Sequence, residues 1–244
     1  MSRPPRFFIS TEQVVPPQII ISGDDVRHIV NVLRMNSGDE LVLCDGKGTD
    51  YTVKIVGASK NEVRTEIVSQ TSRDINSSRI ILGQGLPKSD KMDFIVQKAT
   101  ELGVSQIVPL VMERTIVKIK DEEKRVSRWQ KIAREAAMQS NRADIPEVVG
   151  ISSFKNFLRT PHSALRTLLL LPWEEGTESI KNVLRRNPDA ENIVVLIGPE
   201  GGISAAEAEA AKGMGFHPVS LGPNILRTET AAIAAIAMIG YEFH

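Results

Sequence analysis

The 244-residue sequence is poor in cysteine, in aromatic residues and in net charge, and each shortage argues against a class of protein. Cys44 is the only cysteine, so an internal disulfide is impossible and a cysteine-based zinc site is not expected. Aromatic residues make up 5% of the chain, which disfavours a base-stacking platform for single-stranded nucleic acid. The formal net charge is zero, which excludes a generally basic protein but leaves room for a local RNA-binding patch.

Long apolar segments and clustered metal ligands are also missing. The first ten residues, MSRPPRFFIS, lack the apolar core of a signal peptide. The longest apolar candidate, AAIAAIAMIGY at residues 231–241, is too short to span a membrane and predicts a buried helix. The four histidines are scattered without the spacing of a metal site. We therefore expect a cytoplasmic protein with no membrane partner and no metal.

The apolar pattern changes once, near residue 72. Before this point, short segments rich in Val, Ile and Thr predict strands, DGKGTD predicts a hairpin turn, and GDDVRHIVNVLRM predicts one helix. The polar stretch SQTSRDINSS, residues 69–78, has no apolar period and predicts a linker. We predict a small β-barrel domain over residues 1–72 and a second domain over residues 73–244.

The second domain has strands and helices in alternation. RIILGQGL, SQIVPLV, TLLLLP, NIVVLIG and HPVSLG predict strands, and the amphipathic segments between them predict helices. SDKMDFIVQKATELG predicts a helix with Leu102 on its inner face, and SAAEAEAAKGMG begins with a capping box of Ser204 and Glu207. This alternation predicts an α/β fold with a mostly parallel sheet that helices cover on both faces.

Three familiar catalytic or nucleotide-binding motifs are incomplete here. GQG at residues 83–85 is half of a dinucleotide fingerprint, but the third glycine and the acidic residue after a second strand are missing. GPEGG at residues 198–202 lacks the Gly-Lys-Ser/Thr ending of a P-loop. A Ser-His-Asp hydrolase elbow is also not found. The pattern therefore argues against nicotinamide, P-loop and hydrolase chemistry.

Two polar, glycine-containing stretches follow predicted parallel strands: IGPEGGIS and LGPNILRTETAA. Ligands of open parallel sheets bind at the carboxyl ends of the strands, where glycine lets a ligand approach the backbone. The second stretch also places Arg227 and Glu229 at a predicted helix start. Two plainer interpretations remain open: the stretches are tight turns without a ligand, and Arg227 and Glu229 form an ion pair that shapes the loop.

These two stretches resemble the knotted SPOUT-class RNA methyltransferases, and more closely the 16S rRNA (uracil-N3)-methyltransferase family. HIVNVLRMNSGDELVLCDGKG, LPKSDKMDFIVQKATELGV and EAAMQSNRADIPEV are similar to that family in the same order. The resemblance implies an α/β-knot fold with a deep C-terminal trefoil knot, a PUA-like N-terminal barrel and a homodimer. It also implies S-adenosylmethionine as cofactor and N3 of a uridine in the decoding region of 16S rRNA, within the small ribosomal subunit, as target.

The resemblance assigns cofactor binding to three loops. Their residues are Leu170, Leu171, Pro172, Leu196, Ile197, Gly198, Pro199, Glu200, Gly201, Gly202, Leu221, Gly222, Ile225, Leu226 and Thr230. Methylation of uracil N3 requires loss of a weakly acidic imide proton, so the site must stabilise negative charge or supply a base. We expect Arg227 to stabilise the anion that develops on the uracil oxygens, and either Glu229 or Glu200 to accept the proton.

Basic residues in both domains are candidates for contact with RNA phosphates. They are Arg3, Arg6, His28, Arg34, Lys88, Arg114 and Arg142, and for each the plainer alternative is a solvated surface charge. Two further functions stay open. One is a SPOUT enzyme that methylates another RNA atom, such as a ribose 2′-oxygen. The other is a non-catalytic RNA-binding protein of ribosome assembly.

Overall fold

The computed structural model describes residues 4–72, 79–117, 119–160 and 166–243. The chain folds into two compact units. The first contains Met1–Ile75 and Ala137–Ile145, and the second contains Asn76–Ala136 and Pro146–His244. No helix of the described residues has the length and apolar character needed to span a membrane.

The described residues of the first unit form a six-stranded sheet in the order β1-β4-β5-β6-β3-β2. The pairs are antiparallel except for the parallel pair β1–β4. The elements are β1 (Arg6–Phe8), a 3₁₀ turn (Thr11–Gln13), β2 (Val14–Val15), β3 (Gln18–Ser22), α1 (Asp24–Arg27), a π-helical turn (His28–Val32), β4 (Glu40–Cys44), β5 (Thr49–Ala58) and β6 (Glu62–Ser72).

The long β5–β6 pair shapes this sheet. Its register shifts between Thr52 and Val53 and again between Ile55 and Gly57, and such irregularities bend strands and increase their twist. Strands β1 and β2 lie at the ends of the pairing path, so the closed barrel stays a prediction. The predicted linker was wrong over residues 69–72, because these residues belong to β6 and pair with β5. Its remainder, residues 73–78, lies outside the described residues.

Apolar side chains fill the first unit. Phe7, Leu41, Leu43, Val53 and Ile55 are buried in one cluster. The predicted helix GDDVRHIVNVLRM is present as α1 and the π-helical turn, where Val26 and Ile29 also join this cluster. Leu33 is exposed rather than buried, because the helical turn ends at Val32.

A short segment that is distant in sequence completes this unit. Ala137 and Met138 pack with Phe8 and the buried Cys44. The segment also forms an antiparallel bridge, in which Asp144 pairs with Lys47. Apolar packing and backbone pairing therefore both connect residues 137–145 to the strands of the first unit.

The described strands of the second unit form an eight-stranded parallel sheet, in the order β10-β8-β7-β13-β11-β14-β12 with β9 also on β8. The strands are β7 (Arg79–Gly85), β8 (Gln106–Val111), β9 (Glu147–Val148), β10 (Ser152–Ser153), β11 (Thr167–Pro172), β12 (Glu178–Ser179), β13 (Asn192–Ile197) and β14 (His217–Ser220). The helices are α2 (Lys91–Glu101), α3 (Glu122–Gln139), α4 (Phe154–Arg159), α5 (Ile180–Arg186), α6 (Ala205–Gly213) and α7 (Thr228–Phe243).

Helices cover both faces of this sheet, as the sequence predicts. Along β13, Ile193 and Val195 pack in one cluster with residues of α2 and α7, whereas Val194 and Leu196 pack in another with residues of α6. The alternation of side chains along a strand explains this division. Leu102 was predicted to face the core but is partly exposed, because α2 ends at Glu101.

Candidate functional site

Three strands of the second unit bring the predicted loops to one edge of the sheet. β11 lies between β13 and β14, with Leu170 opposite Val195 and Pro172 opposite Val219. Because all three strands run in parallel, their carboxyl ends share one edge, where ligands of such sheets bind. The loop after β13, residues 198–203, and the loop after β14, residues 221–227, therefore leave the sheet side by side with the end of β11.

Several predicted cofactor residues lie inside the sheet rather than in the loops. Leu170 and Leu171 are buried in β11, and Leu196 and Ile197 are buried in β13. Leu196 packs in the core cluster that contains Ala208 of α6. The side chains of these strand residues therefore stabilise the sheet, and contact with a ligand through them stays a prediction.

Close packing fixes the loop after β13. A Cβ atom at Gly85 would lie 2.5 Å from the backbone nitrogen of Pro199, and one at Gly201 would lie 2.8 Å from Cβ of Arg114. The Gly202 N–H donates to the carbonyl of Pro199 at 2.9 Å, which closes the turn. The Arg114 guanidinium donates to the carbonyl of Gly201 at 2.9 Å. Neighbouring strands and loops thus hold this turn from both sides.

Glu200 attaches the same loop to the start of α2. Its two carboxylate oxygens accept hydrogen bonds from the Lys88 N–H at 2.9 and 3.1 Å, and Lys91 Nζ lies 3.1 Å from Oε1. Desolvation opposes ionisation of Glu200, but these hydrogen bonds and the Lys91 charge lower its pKa below the ordinary value. The hydrogen bond to Glu200, together with the charges of Glu200 and Glu229, raises the pKa of Lys91.

Lys91 also joins the second loop motif to this cluster. Its Nζ lies 3.5 Å from Oε2 of Glu229, the second residue of α7. Arg227 is exposed, and the ion-pair partner of Glu229 is Lys91 rather than Arg227. The predicted alternative of an Arg227–Glu229 ion pair is therefore not what the structure contains.

A buried hydrogen-bond chain connects three segments of the site. The Gln84 side-chain amide donates to Oγ1 of Thr228 at 2.9 Å, and that hydroxyl donates to the carbonyl of Gly198 at 2.6 Å. The amide also donates to the carbonyl of Gly85 at 2.9 Å. These hydrogen bonds explain why the sequence GQG occurs at residues 83–85. Gly85 allows the close approach of Pro199, and Gln84 fixes the start of α7.

A second polar cluster anchors the start of α6. The predicted capping box of Ser204 and Glu207 is confirmed. The Ser204 hydroxyl donates to Oε2 of Glu113 at 2.6 Å, and the Glu113 N–H donates to Oε1 of Glu207 at 2.8 Å. These bonds tie the segment after β8 to the helix that follows the loop 198–203.

The loop after β14 has fewer attachments. Gly222 has a φ of +137°, and a Cβ atom there would meet nothing within 4 Å. Ile225 is 85% exposed, while Leu221 and Leu226 are half-buried. Thr230 is exposed on the first turn of α7. This loop thus presents open backbone and apolar surface beside the closely packed loop.

The structure separates the predicted RNA-binding residues of the first unit into different environments. Arg6 is buried and ion-paired with Asp50, so its guanidinium faces the interior. His28 and Arg34 are exposed, and the His28 ring meets the Phe7 ring edge-on with centroids 5.6 Å apart. Arg142 pairs with Asp144 at 2.7 Å. Arg3 lies outside the described residues.

In the second unit, the side chains of Lys88 and Arg114 are both exposed and both residues contact the loop 198–203. Sequence reasoning did not identify Lys91, Gln84 or Thr228 as site residues. The available signal was positional, because Gln84 is the penultimate residue of a strand and Lys91 begins the following helix, next to the expected ligand edge. Within the described residues, no group of three or more His, Cys, Asp or Glu could hold a metal ion.

The fold is that of a protein with two units, of which the second is an α/β domain whose loops converge at one sheet edge, and comparison with known families agrees with this class. Residues 74–240 match the model of an RNA methyltransferase domain, and residues 21–68 match the model of an RNA methyltransferase PUA domain. The first unit is therefore PUA-like, and the second is an RNA methyltransferase domain.

Relatives of similar length define the family more narrowly. The chain is 34% identical to ribosomal RNA small subunit methyltransferase E of Bacillus subtilis, over 97% of this chain and 96% of that protein. The structure of ribosomal RNA small subunit methyltransferase E from Neisseria gonorrhoeae bound to S-adenosyl methionine matches with 34% identity, a TM-score of 0.87 and 98% coverage of each chain. A methyltransferase from Legionella pneumophila in complex with the same cofactor matches with 32% identity, a TM-score of 0.87 and 98% coverage of each chain. The chain belongs to the ribosomal RNA small subunit methyltransferase E family.

Proposed function

We propose that this protein transfers a methyl group from S-adenosylmethionine to N3 of a uridine in the decoding region of 16S rRNA. The observation that carries the proposal is the meeting of two loops and the end of β11 at one sheet edge, with exposed Arg227 and the carboxylate of Glu229 at the start of α7. The homologues bound to S-adenosylmethionine and the family name support the cofactor and the RNA class.

The residues at the sheet edge fit a sulfonium nucleoside. Gly222 leaves open space where a side chain would stand, so adenine or ribose can approach the backbone of that loop. Half-buried Leu221 and Leu226 supply apolar surface for the base. Glu200 and Glu229 supply negative charge, which favours a bound sulfonium. When bound, the cofactor supplies an electrophilic methyl group.

The reaction at uracil requires a proton to leave N3 as the nitrogen electron pair forms the new bond to the methyl carbon. The carbon–sulfur bond breaks and its electron pair remains on sulfur. Arg227 stabilises the negative charge that develops on the uracil carbonyl oxygens. Glu229 or Glu200 accepts the imide proton. Because N3 lies on the Watson–Crick edge, the uridine must be unpaired or extruded before it reacts.

The RNA is held by basic residues of both units. The exposed residues His28 and Arg34 in the PUA-like unit, and Lys88 and Arg114 in the methyltransferase domain, contact phosphates and position the target. Arg142 can also contact an RNA phosphate if its guanidinium leaves the ion pair with Asp144. Arg6 does not contact RNA in this proposal, because it is buried and forms an ion pair with Asp50. The substrate is the small ribosomal subunit, and the protein acts in the cytoplasm.

A second copy of this chain covers the outer face of α7. Met238 and Tyr241 are exposed on this helix, and Phe94 is exposed on α2, which packs against α7. Small residues such as Ala234 and Ala237 beside them permit close approach of a symmetric partner. Light scattering after size exclusion should give a dimer mass, and Met238→Glu combined with Tyr241→Glu should give a folded monomer.

The methyltransferase domain contains a deep trefoil knot in the SPOUT α/β fold. Thr228, at the start of the last helix, bonds to the end of β7 and to the loop after β13, and this attachment of the helix to both segments supports the proposal. Pulling the chain from both ends in an optical trap should release less contour length than about 3.4 Å per residue, because a tightened knot retains chain.

A methyl-transfer assay tests the proposed function. Purified protein and labelled S-adenosylmethionine are incubated with small ribosomal subunits from cells that lack the modification, and the product nucleoside is identified by mass spectrometry. We expect 3-methyluridine in the decoding region. A 2′-O-methylated nucleoside would instead identify a different SPOUT activity. Absence of cofactor binding by folded protein would indicate a non-catalytic assembly factor.

A further inference from the structure

We propose that Lys91 is a positioning residue that holds two carboxylates with different roles: Glu200 anchors the cofactor loop, and Glu229 accepts the uracil proton. Lys91 is the first residue of α2. Its ammonium lies 3.1 Å from Oε1 of Glu200 and 3.5 Å from Oε2 of Glu229. One cation thus bridges the loop after β13 and the start of α7, which are the two segments that carry the candidate bases.

Glu200 already has partners for both of its oxygens. The Lys88 N–H donates to Oε1 and Oε2, and Lys91 lies against Oε1. These contacts favour the ionised carboxylate and hold its pKa below the ordinary value, against the effect of desolvation. A carboxylate that is stabilised in this way is a weak proton acceptor. Glu200 is therefore suited to fix the loop 198–203.

Glu229 has the opposite environment. Within the described part of the chain, its Oε2 is buried without a hydrogen-bond partner and meets only the ammonium of Lys91 at ion-pair distance. The side chain is 16% exposed, and because Oε2 is buried we infer that the exposed part includes Oε1. Lys91 fixes one oxygen and leaves the other available. Of the two candidate bases, Glu229 is therefore the one with a carboxylate oxygen free to accept a proton.

Lys91 itself stays charged during this step. The groups that act on it are Glu200 from the loop after β13 and Glu229 from α7, and together they raise its pKa above the ordinary value of 10.5. The proton therefore moves from uracil N3 to Glu229 and then to water, while Lys91 keeps its own. The contact of 3.5 Å between Lys91 Nζ and Oε2 holds the Glu229 carboxylate in one position at the start of α7.

This inference rests on the proposed function, so its test separates binding from chemistry. The variants are Lys91→Met, Lys91→Arg, Glu200→Gln and Glu229→Gln. Lys98→Met is the matched control, because Lys98 lies on the same helix, is 35% exposed as against 34% for Lys91, and forms an ion pair with Glu101. For each protein, kcat is measured from pH 5 to 9, and calorimetry gives the Kd of S-adenosylhomocysteine.

The three groups should give distinct signatures. Glu229→Gln should lower kcat by about 100-fold and leave the Kd within about threefold of wild type, because it removes the base. Glu200→Gln should raise the Kd by about tenfold and leave kcat within about threefold of wild type. Lys91→Met should lower kcat by about tenfold or more across this pH range, because Glu229 is no longer held in place.

Lys91→Arg should restore most of kcat, and Lys98→Met should match wild type. A wild-type kcat in Lys91→Met, with only stability or Kd altered, would show a purely structural role and overturn the proposal. So would a loss of kcat in Glu200→Gln equal to that in Glu229→Gln. Failure of the proposed function is a separate outcome, because the wild-type protein would then form no 3-methyluridine.

Discussion

The loop that follows β13 is closely packed and the loop that follows β14 is exposed, although both contain the Gly-Pro sequence that suggested a ligand site. Residues 198–203 are fixed by close backbone packing against Gly85 and Arg114 and by the bonds of Glu200. Residues 221–227 are mostly exposed, and Gly222 faces open space. The hydrogen bond between the Ser220 hydroxyl and the carbonyl of Gly222 is local to that loop.

This difference indicates how the site is prepared for a ligand. The first loop is already in one conformation, so little entropy is lost when a ligand binds to its backbone. The second loop has fewer attachments, so we expect it to adjust, while the bond of Thr228 fixes the chain where α7 starts. Under the proposed function, the two loops form a fixed wall and an adjustable wall of the cofactor site. Substitutions that affect one wall should therefore differ in kind from those that affect the other.

The largest expected effect is loss of cofactor binding in Gly201→Val. The added Cβ would lie 2.8 Å from Cβ of Arg114, so the loop must move away from its bonded position. We expect the Kd of S-adenosylmethionine, measured by calorimetry, to rise by at least ~100-fold. The circular dichroism of the first unit should be unchanged. Retained affinity would contradict the assignment of this loop to the cofactor.

The second largest expected effect is a loss of stability in Gly85→Ala. The new Cβ would lie 2.5 Å from the backbone nitrogen of Pro199, and backbone cannot rotate away as a side chain can. We expect urea denaturation to show a loss of about 3 kcal/mol. Gly213→Ala is the matched control, because nothing lies within 4 Å of its Cβ position at the end of α6. That variant should be neutral or more stable by up to about 1 kcal/mol.

A smaller loss is expected for Thr228→Val, which tests the connection between the loops. The change keeps the side-chain shape but leaves the carbonyl of Gly198 and one N–H of Gln84 without their buried partner. We expect a loss of about 2 kcal/mol in unfolding free energy. Thr160→Val removes a hydroxyl that bonds only locally, to the carbonyl of Asn156 one helical turn earlier, and should cost less than about 1 kcal/mol. Equal losses would mean that the inter-loop bond has no special role.

The sequence was sufficient to predict those parts of the fold that depend on local pattern. The apolar runs of the parallel strands, the capping box of Ser204 and Glu207, and the last helix are all present. Each of these signals lies within a few consecutive residues, so it does not depend on tertiary contacts. The register that places β11 between β13 and β14 could not be obtained in this way, because strand order is a property of the assembled sheet.

The rest of the site depended on interactions between residues far apart in the chain. Lys91 and Glu200 are separated by 109 positions (200 − 91), and no spacing rule connects them. GQG looked like half of a phosphate-binding motif, whereas the missing side chain of Gly85 serves close packing against Pro199. The polar residues 69–72 lack an apolar period, so the sequence predicted a linker. In the structure they form a strand because their backbone pairs with β5, which does not require apolar side chains.

The smallest effect should come from Gly222→Ala, on the adjustable wall. The added Cβ meets nothing within 4 Å, so the cost comes only from a φ of +137° that L-residues rarely adopt. We expect about 1 kcal/mol of destabilisation at most, since the exposed loop can relax. Calorimetry should give a Kd raised by no more than about tenfold, because the adjustable loop can move to make room for the methyl group beside the adenine or ribose. Gly201→Val provides the contrast on the other loop. If Gly222→Ala removed binding as completely, the bound state would need this backbone as rigidly as it needs residues 198–203, and the distinction between a fixed and an adjustable wall would be wrong.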